Sequence, residues 1–504
     1  MRTGSRSGGK RSAVSLVIPD LIRNLWPNGR AVLVVGICVW GIVECGYGLL
    51  QILGWRSSRH ALYALTGHFQ NPGPFGGFIA CVMAVAGAWL MGSPVKPGMT
   101  KEGPEIDKIM TTIVSAFAWV ALGMGFLVLP ASMSRAGWLG LATALGLEAL
   151  RQIRTRDWLK VHRWAIPAGS AVTIALLVGV FLLKPDSALG RVHVWRMECR
   201  AIAERPWTGA GPGMGPWAYG EAQEAFFREY LETASPATIR VAGCPEYAFN
   251  EYLGVGVEYG LPVMVFFVLL VVSSIVVLHK AGCPLAAGLT AWAVFAFASY
   301  PLSVPQLRIL GAVFIVSAVI SGLLMIPNKV VAVVLVVLVL VPLGLVVANG
   351  NRSFDKLRMT ERRLRMTVNE LWMTDQEEAR AVYAEGYALH QAGRYEESSR
   401  VLEKGALMSC DPMFEIIMGK NAEALGDAEK AAMLYEKAHY MVPSRLYPLV
   451  RLMRLRVRQG RDGDALATAW QIVAMPVNDR NAGMVRLHEE TQKTLDSLIV
   501  VTGR

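Results

Sequence analysis

Long apolar runs alternate with polar segments along this chain, and they constrain its fold more than any other feature. The runs cover residues 31–53, 76–91, 113–129, 136–150, 164–183, 261–279, 284–299, 309–325 and 330–347. Such runs, nearly free of charge, are typical of helices that cross a lipid bilayer. A chain of 504 residues with 53% hydrophobic and only 18% charged residues is too apolar for a soluble protein. The sequence therefore predicts an all-α polytopic membrane helix bundle of about nine spans.

The basic residues predict how this bundle is oriented. The segment RQIRTRDWLKVHR at 151–163 is rich in Arg and Lys, which places it in the cytoplasm by the positive-inside rule. Counted from there, the Gly- and Ser-rich tail 1–30 is also cytoplasmic, and we expect it to be disordered. The loop 184–260 and everything after residue 348 fall on the outer side, the periplasm of a Gram-negative cell. The formal net charge of +11 thus orients the protein and does not indicate nucleic acid.

After the membrane domain, 31–348, and a linker, 349–376, the composition changes to that of soluble helices. In 377–504, glycines recur at spacings of about 33–34 residues. The recurring positions are Gly386, Gly393, Gly419, Gly426 and Gly460, and the middle copy adds Ala431, Tyr435, Ala438 and Pro443. This pattern predicts an α-solenoid of tetratricopeptide repeats, in which small residues pack on large ones. Such a solenoid presents a concave face to a protein partner; the alternative is a cap that stabilises the membrane domain.

The polar loop is the predicted centre of the chemistry, because long loops without a function are uncommon. Arg191 and Trp195 are the predicted ligand contacts within it. Arg196 and Arg200 would share one helix face, which we expect to be solvated. The glycines of GAGPGMG, 209–215, lack the Lys-Ser/Thr ending of a nucleotide loop. They are expected to form tight turns that let backbone approach a ligand or the membrane face.

Two outer segments of the membrane domain add further candidates. TGHFQNPGPFGG, 66–77, contains Asn71, and MSRAGW, 133–138, contains Ser134 and Arg135. With the polar loop and SYPLSVPQLR, 299–308, they face the same side in this topology, which predicts one site at the outer membrane interface. Arg135 lies at the hydrocarbon edge, where an arginine is costly unless it is paired or binds a ligand such as phosphate. The alternative is an arginine that extends to the interface.

The end of the polar loop supplies candidate acids and bases. Glu251 is a candidate general base, because a carboxylate beside an apolar surface can accept a proton from a hydroxyl. Asn250 and Glu258 are candidate substrate contacts. The alternatives are a helix-starting charge for Glu251 and a hydrogen-bonded structural acid for Glu258. His193 could also act as a base, although a lone loop histidine is more often exposed.

The cysteines leave two alternatives open and predict no metal site. Cys199 and Cys244 both lie in the polar loop, where an oxidising compartment would allow them to pair. The alternative is two buried free thiols. No CxxC motif or Cys/His ligand spacing occurs, so no metal and no cofactor are expected.

At these residues the chain resembles the O-antigen ligase family, in particular members with C-terminal tetratricopeptide repeats. The matching stretches are GLLQ at 48–51, TGHFQNPGPFGG, SRAGW, DSALGRVHVW at 186–195, RPWTGAGPG and FNEYLGVGVEYGLP. The resemblance covers about residues 40–350 and the repeats. It implies an inverting, metal-independent glycosyltransferase of the bacterial inner membrane. Such an enzyme moves a glycan from an undecaprenyl-diphosphate carrier to a hydroxyl of lipid A core, or to another glycan or protein acceptor, at the periplasmic face.

The resemblance also implies roles for individual residues, and this chain departs from the family pattern in two respects. Arg135 and Arg191 match the family's diphosphate-binding arginines. Many members have a histidine before the asparagine at the loop's end, where this chain has Phe249, so the base is unassigned and Glu251 or His193 would have to substitute. Fewer spans precede TGHFQNP than in the usual family plan, which predicts a chain shortened at its start.

Other functions fit the sequence less well. An O-antigen polymerase or a protein O-oligosaccharyltransferase differs from a ligase only in its acceptor, which no motif identifies. A lipid-glycan transporter would need charged or broken helices in mid-membrane. Here the spans are nearly free of charge apart from Glu44 and, near a span end, Glu148. A repeat scaffold on a membrane anchor would not need about nine spans or a loop rich in Gly, Arg and Trp.

Overall fold

The computed structural model is helical, and it describes residues 14–60, 62–92, 105–151, 157, 160, 161, 164, 185–325, 375–476 and 481–502. The first helices are α1 (Val14–Ile52), α2 (Pro72–Gly92), α3 (Glu105–Val128), α4 (Arg135–Arg151), α5 (Pro185–Glu204), α6 (Gly215–Tyr230), α7 (Pro236–Val241), α8 (Glu251–Tyr259) and α9 (Leu261–Lys280). They are followed by α10 (Leu285–Phe297), a 3-10 turn (Pro301–Ser303), α11 (Pro305–Met325), α12 (Asp375–Gln391), α13 (Tyr395–Ala406), α14 (Met413–Ala424), α15 (Ala428–Met441), α16 (Tyr447–Arg458), α17 (Asp462–Val473) and α18 (Ala482–Thr502). No strand occurs in the described residues.

The chain divides into two units. One comprises Met1–Ile174 with Val268–Val347, and we call it the membrane unit. The other comprises Ala175–Phe267 with Ala348–Arg504, and we call it the loop-repeat unit because it joins the polar loop to the C-terminal helices. From the sequence alone, the polar loop 184–260 was predicted to belong to the membrane domain.

Among the described residues, five helices are long and apolar enough to cross a membrane. They are Asn28–Ile52, Pro72–Gly92, Lys108–Val128, Leu261–Lys280 and Pro305–Met325. Helices α4 and α10 coincide with predicted runs but have only 17 and 13 residues, fewer than the roughly 20 that a straight span needs. Two predicted spans lie outside the described residues. They are 330–347 and, except for Trp164, 164–183. The part of the chain that the structure describes is therefore that of an all-helical membrane protein.

Helix α2 lies at the centre of the membrane unit. It packs on α1, α3, α4, α10 and α11, and its residues from Phe75 to Ala88 are buried. Its approach to α4 depends on glycine: a Cβ at Gly137 would lie 2.8 Å from the Gly76 carbonyl oxygen. The two helices therefore meet with their backbones nearly in contact, close to their N-terminal ends.

One part of the predicted tail is helical. Helix α1 begins at Val14, inside the segment 1–30 that we expected to be disordered. The reason is visible in the sequence, where Val14, Val17, Leu21 and Leu25 recur at helical spacing. Most of the Gly and Ser residues of the tail lie before Val14.

Basic residues gather at one end of the membrane unit. The Arg30 guanidinium donates to the Ala281 carbonyl oxygen at 3.0 Å. The Arg151 guanidinium donates to the His279 carbonyl oxygen at 2.8 Å and pairs with Glu148 at 2.9 Å. These contacts bring Arg30 of α1, the end of α4 and the end of α9 together. The turns with Asn71 and Ser134 start α2 and α4 at the opposite helix ends, as the predicted topology requires.

The C-terminal helices show the small-on-large packing expected from the glycine spacing. Each helix from α12 to α18 packs on the next. Tyr435 is fully buried, and a Cβ at Gly419 would lie 2.6 Å from its ring. Ala431 and Ala438 are fully buried in the same cluster. The geometry agrees with the pattern, while the assignment to tetratricopeptide repeats stays a prediction. The predicted repeat boundary at 377 falls close to the start of α12 at Asp375.

Within the loop-repeat unit, the C-terminal helices pack directly on the polar loop. Helix α15 lies against α6, and the Lys437 ammonium bridges Glu221 at 2.7 Å and Glu415 at 3.1 Å. The Gln223 amide donates to the Met441 carbonyl oxygen, and Arg380 pairs with Glu246. These helices therefore support the loop that carries the candidate site.

Candidate functional site

Helix α5 presents three candidate side chains on one face. Arg191, Trp195 and Glu198 are four and three residues apart, so they project from the same side of the helix. The adjoining face buries Val194, Met197 and Ala201 against Ala218, Ala222, Phe226 and Phe227 of α6, and Ile202, one turn beyond Glu198, joins the same core. Burying each larger apolar side chain contributes about 1.5–3 kcal/mol. This core fixes the rotation of α5 and hence the direction of Arg191.

Phe249 organises the end of the polar loop. Its φ of +51° is unusual for a residue other than glycine. The Trp195 indole N–H donates to the Phe249 carbonyl oxygen at 3.3 Å. The Arg191 guanidinium carbon lies 5.4 Å from the centre of the Phe249 ring, within cation-π range. The position where many relatives have histidine thus supplies an aromatic platform for Arg191, and the predicted Arg191–Trp195 pair shares this platform.

Asn250 starts helix α8. Its side-chain oxygen accepts from the backbone N–H groups of Tyr252 at 3.1 Å and Leu253 at 3.2 Å, which is the geometry of a helix N-cap. The side chain is buried. The predicted substrate contact is therefore occupied in holding the start of α8 against α5.

Glu198 is a candidate that the sequence interpretation missed. It is 4% exposed, and within the described structure its Oε2 atom has no hydrogen-bond partner. Burial raises the pKa of Glu198 well above its usual range, and the neighbouring Glu251 carboxylate raises that pKa further. Glu251 is also buried, in the first turn of α8. The two acids form a buried carboxyl pair. Its signal in the sequence was the position of Glu198 on the Arg191–Trp195 face.

This carboxyl should make stability depend on pH. A raised folded-state pKa stabilises the fold fully below the unfolded-state pKa of about 4.3, and that stabilisation is lost as pH rises through the folded-state pKa. Glu198→Gln is neutral at every pH. We expect it to match the wild type at pH 4 and to be more stable at pH 8 by about 1–3 kcal/mol. Thermal unfolding at both pH values measures the difference, with exposed Glu232→Gln as control. A Glu198→Gln effect of equal size at both pH values would contradict this expectation.

His193 is neither exposed nor available as an open base. It is 5% exposed, and its Nε2 atom lies 2.8 Å from the Gln223 side-chain oxygen. Burial lowers the pKa of His193, and the positive charge of the nearby Arg196 lowers it further. The hydrogen bond to Gln223 acts in the opposite direction but does not cancel the decrease. A buried neutral histidine in this position connects α5 to α6. Its predicted role as a base is not supported by this geometry.

Arg196 and Arg200 share a helix face, as predicted, but that face covers an aromatic ring. Their guanidinium carbons lie 4.9 Å and 5.4 Å from the centre of the Phe226 ring. Arg200 also lies 3.6 Å from a Glu229 carboxylate oxygen. Arg196 is exposed, as expected of a solvated face, and Arg200 is half-buried; both guanidinium groups also lie over Phe226 of α6.

The GAGPGMG segment forms the tight turns that its glycines predict. Gly209, Gly211 and Gly213 all have positive φ. The N–H groups of Ala210 and Gly211 donate to the carbonyl oxygens of Val257 at 2.7 Å and Glu258 at 3.0 Å. A Cβ at Gly209 would lie 2.4 Å from the Glu258 backbone. The backbone that these turns approach is α8 of the same unit, where Glu258, a predicted substrate contact, lies half-buried.

In the membrane unit, Asn71, Ser134 and Arg135 come together. The Asn71 side-chain oxygen accepts from the Gly73 N–H at 2.9 Å, and the Ser134 hydroxyl donates to the Gly73 carbonyl oxygen at 2.8 Å. These bonds join the start of α2 to the start of α4, whose first residue is Arg135. Neither first turn contains an acidic residue. Two positive helix ends and a half-buried arginine thus converge, which favours an anionic group.

The cysteines pair differently from the expectation. Cys244 forms a disulfide with Cys410 of the C-terminal helices, with Cα atoms 5.4 Å apart. Cys199 is a free, exposed thiol. Pairing of Cys199 with Cys244 and two buried thiols are therefore both wrong. Among the described residues, no group of three or more His, Cys, Asp or Glu side chains is placed to hold a metal ion.

Comparison with known proteins identifies one family. Residues 119–268 match the family model described as O-Antigen ligase. This segment begins in α3 and ends in α9, so it contains Arg135, α5 and the Phe249 corner. No curated protein matches the chain. Residues 119–268 of this membrane protein are therefore similar to the O-antigen ligase domain, which supports a glycosyltransferase-like function in O-antigen assembly.

Proposed function

We propose that the protein transfers a glycan from an undecaprenyl-diphosphate carrier to an acceptor hydroxyl, with lipid A core as the first acceptor to test. The observation that carries the proposal is Arg135 at the converging N-termini of α2 and α4, inside a ligase-family domain. A diphosphate is the leaving group in such a transfer and gains negative charge as its bond breaks. Positive helix ends and a guanidinium stabilise that charge.

By the resemblance to the ligase family, Arg191 is also proposed to bind the diphosphate. The Phe249 ring and the Trp195 hydrogen bond define its place on α5. A guanidinium offers a planar fork of donors that matches phosphate oxygens. The acceptor oxygen would attack the anomeric carbon as the bond to the diphosphate oxygen breaks, and this single displacement inverts the configuration. No metal is needed, because the arginines supply the positive charge.

The proposed location of the chemistry is the periplasmic face of the inner membrane. The Cys244–Cys410 disulfide supports this side for both the polar loop and the C-terminal helices, because disulfides persist in oxidising compartments. Arg30 and Arg151 at one end of the membrane unit support a cytoplasmic location for that end. The N-terminus would then lie in the cytoplasm.

The C-terminal helices are proposed to hold the loop in place and to offer a surface for a protein partner. The first role rests on Lys437, Gln223 and the disulfide, which join the helices to α6 and its neighbours. The second role is that of the predicted repeats. No nucleic-acid role is proposed.

The test reconstitutes the protein in liposomes with an undecaprenyl-diphosphate-linked glycan and one acceptor at a time. We expect a glycosylated lipid A core, detected by gel shift and mass spectrometry, and no product with heat-denatured protein. Product on a second glycan or on a protein, but not on lipid A core, would replace the ligase reaction by polymerisation or protein glycosylation. Donor that stays intact with every acceptor would refute glycan transfer.

A further inference from the structure

The loop between α1 and α2 is held in a defined conformation by buried hydrogen bonds. The Gln51 side-chain oxygen accepts from the N–H groups of Thr66 at 3.0 Å and Gly67 at 2.8 Å. Gly67 has a φ of +59°, and a Cβ there would lie 2.4 Å from the Phe75 ring. Only glycine fits this turn without strain. The next residue, His68, is thereby directed back to α1.

His68 and Glu44 form a hydrogen-bonded pair at this turn. The His68 Nδ1 atom lies 3.1 Å from Glu44 Oε2, which also accepts from the His68 backbone N–H at 3.3 Å. The imidazole stacks on the Tyr47 ring with centroids 3.9 Å apart. The Glu44 side chain is 6% exposed and the His68 side chain 40% exposed. A buried carboxylate thus holds one face of an accessible imidazole.

This arrangement is that of a carboxylate-oriented base. With Nδ1–H donating to Glu44, the lone pair of the neutral imidazole is at Nε2, which can accept a proton. A base that a third group orients is the pattern used to activate hydroxyl nucleophiles. The other candidates are less suitable, because His193 is buried against Gln223 and Glu251 is buried beside Glu198.

His68 also belongs to the part of the membrane unit that carries the proposed anion site. It lies in the same loop as Asn71, three residues before it. That loop leads into Gly73, whose carbonyl oxygen accepts from Ser134 next to Arg135. A glycan donor whose diphosphate binds Arg135 would therefore place its anomeric carbon at the same end of the unit as His68.

We propose that His68 is the general base of the transfer and that Glu44 is its positioning residue. This inference rests on the proposed function. The acceptor O–H proton moves to His68 Nε2 while the acceptor oxygen forms its bond to the anomeric carbon. The electron pair of the breaking carbon–oxygen bond leaves with the undecaprenyl diphosphate. The imidazolium then releases the proton to water, so no oxidant or other reactant is required.

The first test compares His68→Ala and His68→Gln with the wild type in the liposome assay. A general base contributes about 10²–10⁴-fold, so we expect kcat to fall by that factor while the KM for the donor changes little. Added imidazole should restore part of the activity of His68→Ala. The matched control is His60→Ala in the same loop, where the histidine is half-buried and its Nδ1 accepts only from the Leu62 N–H; its rate should equal that of the wild type.

The pH profile tests the pair itself. Three charged or titratable side chains contact His68 in the described structure, namely Glu44 and Tyr47 of α1 and Arg59 of the loop. Protonation of His68 removes the acceptor, so wild-type activity should fall as pH decreases. His68→Ala should lose this acidic limb. Glu44→Gln should lower kcat while the KM for the donor changes little, because an amide holds the imidazole less firmly in place than a carboxylate does.

The outcomes separate the two proposals. A wild type without turnover would overturn both the transfer reaction and the base. A wild type with turnover, together with a folded His68→Ala of equal rate and unchanged pH profile, would overturn the base alone. Loss of activity in His68→Ala and His68→Gln without rescue by imidazole, and with the acidic limb intact, would likewise assign His68 to the structure of the loop and refute its role as the base.

Discussion

Replacing Arg191 by alanine is expected to lower the rate of glycan transfer about 10²–10³-fold, the loss typical for removal of one donor to a developing anion. Arg135→Ala should have an effect of similar size. In both variants the leaving diphosphate loses a guanidinium that is held in place before reaction, Arg191 by Phe249 and Arg135 by the first turn of α4. The measurement is single-turnover release of undecaprenyl diphosphate by folded, reconstituted protein.

Two further variants distinguish binding geometry from charge. Arg191→Lys keeps the charge but loses the planar fork, so its rate should lie between those of the wild type and Arg191→Ala. Arg196→Ala removes a cation from the same helix on the face that covers Phe226, and its rate should equal that of the wild type. Equal losses in Arg196→Ala and Arg191→Ala would contradict a specific diphosphate contact and indicate general electrostatic attraction.

Breaking the Cys244–Cys410 disulfide is expected to destabilise the loop-repeat unit by about 2–5 kcal/mol. The bond joins residues 166 positions apart, and a long closed loop makes its removal costly. Cys410→Ser, Cys244→Ser and the double variant should all show the same loss. The Lys437 and Gln223 contacts should retain part of the docking. Thermal unfolding and limited proteolysis, with and without dithiothreitol, measure the effect.

The control for the disulfide is Cys199→Ser, which removes an exposed free thiol and should leave stability unchanged. Peptide mapping under non-reducing conditions should find the 244–410 linkage. A 199–244 linkage, or wild-type stability in Cys410→Ser, would contradict the connection between the polar loop and the C-terminal helices.

Local patterns in the sequence predicted much of this structure. The apolar runs between residues 31 and 150 and between 261 and 325 are helices, because charge-free runs identify buried or lipid-facing segments directly. The four-residue spacing of Arg196 and Arg200 predicted a shared helix face, and both lie over the Phe226 ring. The spacing of Gly419 and Tyr435 identified a packing contact between neighbouring helices.

Local sequence patterns did not predict contacts between residues that are distant in the chain. Cys244 could be paired only with a neighbour in the loop until the docking of α15 on α6 brought Cys410 to it. Glu198 reads as an ordinary helical acid until the burial of α5 and the nearby Glu251 become visible. The orientation of His68 depends on Glu44, 24 residues earlier on α1. The spacing of residues along the sequence carries none of this information, because these contacts depend on how the helices pack.

The most direct test of the account is the release of undecaprenyl diphosphate from the glycan-linked carrier by the wild-type protein, with and without lipid A core. Release that depends on the acceptor and matches the amount of glycan transferred is the predicted result. An intact carrier, in the presence of folded protein and every acceptor class, would contradict the proposed transfer.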